Sequence, residues 1–188
     1  SGSHTLDRTY PATSAPKVDI QYGFLAAMKP APKTETAYAV LDYIMSQRCV
    51  SRIREERGGT YYVRFTTENH LYGGVRESVV AFQTRPEMTD MLVNDAKTLV
   101  KEMAEEGPTE AEFENARKYL AKHHHELQAR YKENLSRKLN VYMMKERCGI
   151  DKEEKYIDLL EKASIRDIRK MAAKIAKGDS MLSVYTEN

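Results

Sequence analysis

Arg52-Ile53-Arg54-Glu55-Glu56-Arg57-Gly58-Gly59-Thr60-Tyr61-Tyr62-Val63 reads as the charged end of a helix, a glycine break, and the opening of an aromatic, β-branched strand. Glycines at such a break supply the positive φ that a helix C-terminus needs before a sharp turn. The corner fixes Arg54 seven residues ahead of Tyr61. A guanidinium and a phenol held this way can be aimed at one point, such as a peptide carbonyl. The plainer alternative is a solvated helix end followed by a half-buried strand.

Working outward, Val18 to Met28 alternates Ile20, Tyr22 and Phe24 against Asp19, Gln21 and Gly23, which predicts a strand closed by Pro30 and Pro32. Thr34 or Thr36 is placed to cap a helix carrying Ala37, Val40, Leu41, Ile44 and Met45 at helical spacing, ending in the arginine–glycine corner. Tyr61, Val63 and Phe65 alternate along the next strand, opposite Tyr62 and Arg64, and Val75 to Thr84 gives another after a hairpin connection at 68–72. Met88, Met91, Leu92, Leu99, Val100 and Met103 form a helical stripe stopped by Gly107-Pro108. Thr109 and Glu112 have capping-box spacing, so a new helix begins there and is expected to break in the 130s or 140s. Asp151 with Glu154, and Ser164 with Asp167, mark further helix starts; Gly178 ends the last helix before a closing strand, Met181 to Thr186. Strand, helix, strand, strand, several helices, strand predicts an α+β, two-layer sandwich with a mostly antiparallel sheet and helices on one face.

Residues 1–17, rich in Ser, Thr, Pro and Ala, are expected to be a linker or a remnant of engineering, and 18–188 a single domain. The net charge is +2 and no basic stripe interleaves with aromatics, which argues against a nucleic-acid partner. No apolar run approaches the ~20 residues of a transmembrane helix. Two cysteines, Cys49 and Cys148, do not make a disulfide scaffold; buried thiols or a single bridge both fit.

The segment Arg54 to Tyr61 resembles the arginine–tyrosine motif of the pitrilysin/insulinase family of zinc metallopeptidases, where it belongs to the non-catalytic homologous domain. The likeness extends through Ala81-Phe82-Gln83-Thr84, Arg85-Pro86-Glu87, and the helix junction Glu105-Glu106-Gly107-Pro108-Thr109-Glu110-Ala111-Glu112-Phe113 with Ala116-Arg117, covering residues 18 to 187. It implies an accessory domain of a larger zinc peptidase, with the C-terminal position in the parent. It further implies that two homologous halves close around a peptide, zinc lying in the catalytic domain and other domains of the parent being partners. On this reading Arg54 anchors the substrate or its carbonyl and Tyr61 is a phenol donor, while Arg57, Glu55 and Glu56 are surface charges or local ion pairs and Tyr62 packs on the opposite face. Gly59 and Thr60 depart from the family's pattern of a bulky or aliphatic residue followed by a small apolar one, and from the double glycine a loosened corner is expected. The competing reading is a scaffolding domain used only for interdomain or subunit packing, as in related respiratory and mitochondrial processing subunits. Bacterial relatives point to the periplasm or cell envelope, with the cytoplasm as alternative.

No catalytic residue is expected in the chain itself. His123-His124-His125-Glu126-Leu127 starts a His-x-x-Glu-His pattern, but leucine stands where the second histidine belongs. The first helix, Lys33 to Gln47, holds no histidine, and Glu35 and Asp42 are its acids, so three metal ligands with an open water position are not available there. No metal site and no cofactor are assigned.

Overall fold

The computed structural model describes residues 2–11, 15–28, 31–70, 74–130, 135–148 and 155–187. The elements are β1 (Ser3–Tyr10), β2 (Lys17–Ala27), α1 (Pro32–Cys49), β3 (Thr60–His70), β4 (Val75–Thr84), α2 (Thr89–Glu105), α3 (Glu110–Arg130), α4 (Leu135–Cys148), α5 (Tyr156–Glu161), α6 (Ile165–Ala176) and β5 (Asp179–Glu187). The five strands form one mixed sheet in the order β1-β5-β2-β4-β3. The β1–β5 pair is parallel and the other pairs are antiparallel.

Register explains the core. Val184 pairs with Ile20, Ile20 with Phe82, and Phe82 with Val63, while Leu182, Tyr22, Val80 and Phe65 form the next row. Strand side chains alternate faces, so these rows turn one apolar face toward the helices. The other face presents Gln21, Leu25, Arg64, Thr66 and Glu68 to solvent. Against the apolar face lie Tyr38, Leu41, Ile44 and Met45 of α1, Leu92 and Met103 of α2, and Ile168 of α6, all essentially buried. This is the expected α+β sandwich.

Residues 1–17 are not simply a linker. Ser3–Tyr10 pairs with β5 along its length, from Ser3 opposite Ser180 to Tyr10 opposite Glu187. The strand buries almost nothing, with only Leu6 half-buried, so composition carries no strand signal. Its hold is the backbone ladder, helped by Gly2 N donating to Asp179 Oδ1 at 2.6 Å and by stacking of Tyr10 on Tyr185 at 6.4 Å. The first helix also starts differently from expectation. Pro32 occupies its first turn, Ala31 precedes it without a side-chain cap, and Thr36 Oγ1 instead donates back to the Pro32 carbonyl at 3.0 Å.

The capping box is present: Glu112 N donates to Thr109 Oγ1 at 3.2 Å, and Thr109 N donates to Glu112 Oε2 at 2.7 Å. Ser164 likewise caps α6 by accepting from Asp167 N at 3.2 Å. The expected break after α3 and the start signal at Asp151–Glu154 lie outside the described residues. Glu112 also takes both nitrogens of Arg48, Nε at 2.7 Å and Nη2 at 2.8 Å, joining α1 to the α2–α3 junction. The Arg48 guanidinium, helped by Thr109, holds the Glu112 carboxyl down to about 2. A folded-state pKa below the unfolded one means stability present above pH 4.5 and lost as pH falls toward 2. Glu112→Gln keeps the capping shape and removes the charge. It is expected to cost about 1–2 kcal/mol at neutral pH, after allowance for solvent exposure of the pair, and progressively less in acid; denaturant unfolding across that range checks it.

Candidate functional site

The α1 helix does not end at Cys49. It runs on through a π-helical segment, Val50–Glu56, which keeps Ile53 in the core while Ser51, Arg54, Glu55 and Glu56 face solvent. Wider π turns change which residues face outward and recur at functional positions. The Arg54 carbonyl accepts from Gly58 N at 3.0 Å, closing the turn. Gly58 has φ +61°, the left-handed conformation that glycine adopts without penalty.

The double glycine does not loosen the corner. Gly59 is buried, and a Cβ there would stand 2.6 Å from Met88 Cε and 2.9 Å from Leu92 Cδ1, so its bare backbone is what lets the corner close on the start of α2. Thr84 Oγ1 donates to the Gly59 carbonyl at 2.7 Å, and Thr60 Oγ1 donates to the Gln83 carbonyl.

A register irregularity follows at once. Thr60 pairs with Thr84 and Val63 with Phe82, so Tyr61 and Tyr62 together oppose Gln83. Such a bulge breaks strand alternation and re-aims side chains. Tyr61 is 89% exposed, and Tyr62, expected to pack on the opposite face, is 42% exposed. Both stand on β3, at the edge of the sheet.

The arginines around the corner divide clearly. Arg57 grips Asp95 of α2 at 2.8 and 3.2 Å, beyond the purely local or surface role expected of it, and this contact raises its pKa. Arg52 lies 3.4 Å from Glu56 and 4.0 Å from Asp95. Arg54 is exposed and makes no ion pair or side-chain hydrogen bond among the described residues. Arg54 and Tyr61 therefore flank the Gly58 turn, both solvent-facing and not hydrogen-bonded to each other. Asp95 was hidden in the sequence within an otherwise apolar stripe.

The histidine run sits on α3. His123 stacks on Tyr119 at 5.8 Å and His124 on Tyr156 at 4.6 Å. No group of three His, Cys, Asp or Glu side chains suited to a metal ion occurs among the described residues. Cys49 is a free, buried thiol whose pKa burial pushes up to about 12, which makes it a core atom and not a nucleophile. The side chain of Cys148 lies outside the described residues.

A second polar cluster, unforeseen in sequence, lies under the N-terminal half of α1. Arg76 of β4 is 5% exposed, pairs with Glu35, and stacks its guanidinium 3.7 Å from the Tyr38 ring centre. Asp42 Oδ2 accepts from Thr67 Oγ1 at 2.8 Å, while its Oδ1 is buried without a partner among the described residues. Desolvation pushes Asp42 up to about 7, against the hydrogen bond from Thr67 and the Arg76 charge, which lower it.

The geometry defines an α+β domain with an exposed arginine–tyrosine corner. A profile of the Peptidase M16 inactive domain family matches residues 5–120, more than half of the chain, and the chain belongs to that family. No curated protein matches it in sequence. Among solved structures it is similar to the periplasmic protease PqqL from Escherichia coli (TM-score 0.81, 14% identity), covering 98% of this chain and 21% of that one. It is also similar to a Peptidase M16 inactive domain from Pseudomonas fluorescens (TM-score 0.74, 15% identity), covering 98% of this chain and 43% of that one. A mutant of the ferredoxin protease FusC in complex with Arabidopsis ferredoxin matches at TM-score 0.75 and 16% identity, with 98% and 20% covered. At these identities the likeness is one of fold. The chain spans about a fifth of the length of the two proteases. No helix of the described residues is long and apolar enough to cross a membrane.

Two outcomes follow. A folded-state pKa raised from 3.8 to about 7 gives a stability contribution that is full below pH 3.8 and lost as pH rises to 7. Asp42→Asn is expected to remove that loss, becoming about 2–4 kcal/mol more stable relative to the parent on going from acid to neutral pH, as read by denaturant unfolding. After dialysis against a mild chelator the chain is expected to retain no stoichiometric zinc. One tightly held equivalent in metal analysis would assign a ligand among His123, His124 and His125.

Proposed function

We propose that this chain is the substrate-clamping accessory domain of a larger bacterial zinc metallopeptidase that encloses and hydrolyses peptides, with Arg54 and Tyr61 contacting the substrate. The zinc belongs to the catalytic domain of that parent, other domains of the parent are its partners, and the compartment is the periplasm or cell envelope. The supporting observation is the selective freedom of the pair. Arg52 and Arg57 are tied to carboxylates, whereas Arg54 reaches solvent unpaired among the described residues and Tyr61, at a bulge, is 89% exposed. Donors of this kind, enclosed with a peptide carbonyl, stabilise charge developing on its oxygen. That relatives include a protein described as a periplasmic protease supports the compartment.

The scaffolding reading draws on a different observation. Leu139, Tyr142 and Met143 form an exposed i, i+3, i+4 apolar stripe on α4, the pattern of a helix face that packs against a neighbour. The two readings are separable. In the full-length parent, Arg54→Ala and Tyr61→Phe are each expected to lower peptide turnover about 10- to 100-fold with zinc content unchanged. Normal turnover in both variants would leave packing as the domain's role.

A further inference from the structure

We propose that the cavity between α1, the β3–β4 hairpin and α5 is a binding site for a primary ammonium group. It is separate from the arginine–tyrosine corner and does not depend on the role given to that corner. The cavity has a volume of about 240 Å³, and its polar wall is made by Glu35, Tyr38, Asp42, Thr67, Arg76 and Tyr156. At ~30 Å³ per water this is room for roughly eight waters, or for a ligand of amino-acid size. Pro32, Ala39 and Leu159 complete an apolar rim whose residues are half-buried, so the space meets the surface.

The charges select the ligand. The Arg76 guanidinium is already committed on two sides, to Glu35 and to the Tyr38 ring. An anion entering the cavity would meet an occupied cation and two carboxylates. Asp42 is different. Thr67 satisfies one of its oxygens, and the other is buried and without a donor among the described residues. A buried acceptor in this condition costs free energy until a donor reaches it. Glu35 and Arg76 cancel, so ionised Asp42 leaves the site with one net negative charge. An ammonium with three N–H donors on an aliphatic stem matches the charge, the missing donor and the apolar rim together.

The pH response gives the proposal a signature. Among the described residues, the groups facing Asp42 are Glu35 and Tyr38 from its own helix, Thr67 from β3, Arg76 from β4 and Tyr156 from α5, with His124 of α3 stacked on Tyr156. Burial holds Asp42 at about 7, so near neutrality a fraction of the molecules carries a neutral carboxyl that does not attract a cation. Apparent affinity follows the ionised fraction and rises about tenfold between about pH 6 and pH 8.

The test is titration of the 188-residue chain with n-propylammonium chloride, followed by amide NMR shifts, with n-propanol as the uncharged counterpart. The expected result is saturable shifts at Asp42, Thr67 and Arg76 with the amine and none with the alcohol. Affinity should rise tenfold across neutrality, fall at least tenfold in Asp42→Asn, and keep its pH response in His124→Gln. No shifts at these residues, equal binding of the alcohol, or undiminished binding by a folded Asp42→Asn protein would each overturn the proposal. A pentapeptide with a free amino terminus and its N-acetylated twin then distinguish the source. Binding of the free peptide alone assigns a peptide amino terminus, and binding of propylammonium with neither peptide assigns a free small amine.

Discussion

Burial of one continuous face of α1 and its π-helical extension is the constraint on which the other elements rest. Tyr38, Leu41, Ile44, Met45, Cys49 and Ile53 are all essentially inaccessible, and they span the element from its second turn to the arginine corner. Helices α2, α3, α5 and α6 and strand β3 all touch α1. Each fully buried apolar side chain contributes about 1.5–3 kcal/mol relative to exposure, so this single face outweighs any surface ion pair in the molecule. Because the face must stay buried to Ile53, the helix cannot stop at Cys49, and the extra length carries Arg54 out to solvent. Core packing therefore places the exposed guanidinium, and the function proposed for it is a by-product of where the hydrophobic face ends.

Much of this was readable from residues. Val75–Thr84 is a strand with the expected bounds, and the Thr109–Glu112 and Ser164–Asp167 spacings start helices where their side chains bond back to the chain. These features are local, and local chemistry is what sequence spacing records. The failures share the opposite property. β1 is held by backbone pairing to a strand far away in sequence and buries no apolar face, so neither its composition nor its pattern could reveal it. The bulge at Tyr61–Tyr62 exists only relative to Gln83 on the partner strand, so alternation alone does not reveal how exposed Tyr61 is. The tightness of Gly59 comes from Met88 and Leu92, residues about thirty positions on.

The residues proposed for the site can be named from the sequence, but their environment cannot. Arg54 and Tyr61 could be named from spacing, yet which neighbouring arginines are neutralised depends on Asp95, a carboxylate on α2 inside an apolar stripe. Glu35 and Asp42 looked like the ordinary polar residues of a helix without ligands. Their separation of seven puts them on one face with Tyr38, and β4 then brings Arg76 beneath them. A cluster of charges this well buried is poor stabilising material, since desolvation consumes most of the attraction between them. That is why Asp42 resists ionisation, and why the cavity beside it invites a chemical explanation and not only a packing one.

The parallel pairing of β1 with β5 has a consequence for how such domains can be strung together. Running the same way side by side, the two strands put the start of β1 and the end of β5 at opposite ends of the sheet, about 25 Å apart at the usual rise per residue. A polypeptide passing through this fold therefore enters at one pole and leaves at the other. Antiparallel end strands would return it to its point of entry and allow the domain to hang from a neighbour by a two-residue turn. Here, closing the chain on itself would need a crossover of a dozen or more residues. The parallel register thus holds the start of β1 and the end of β5 a full strand length apart, where an antiparallel pair would set them side by side.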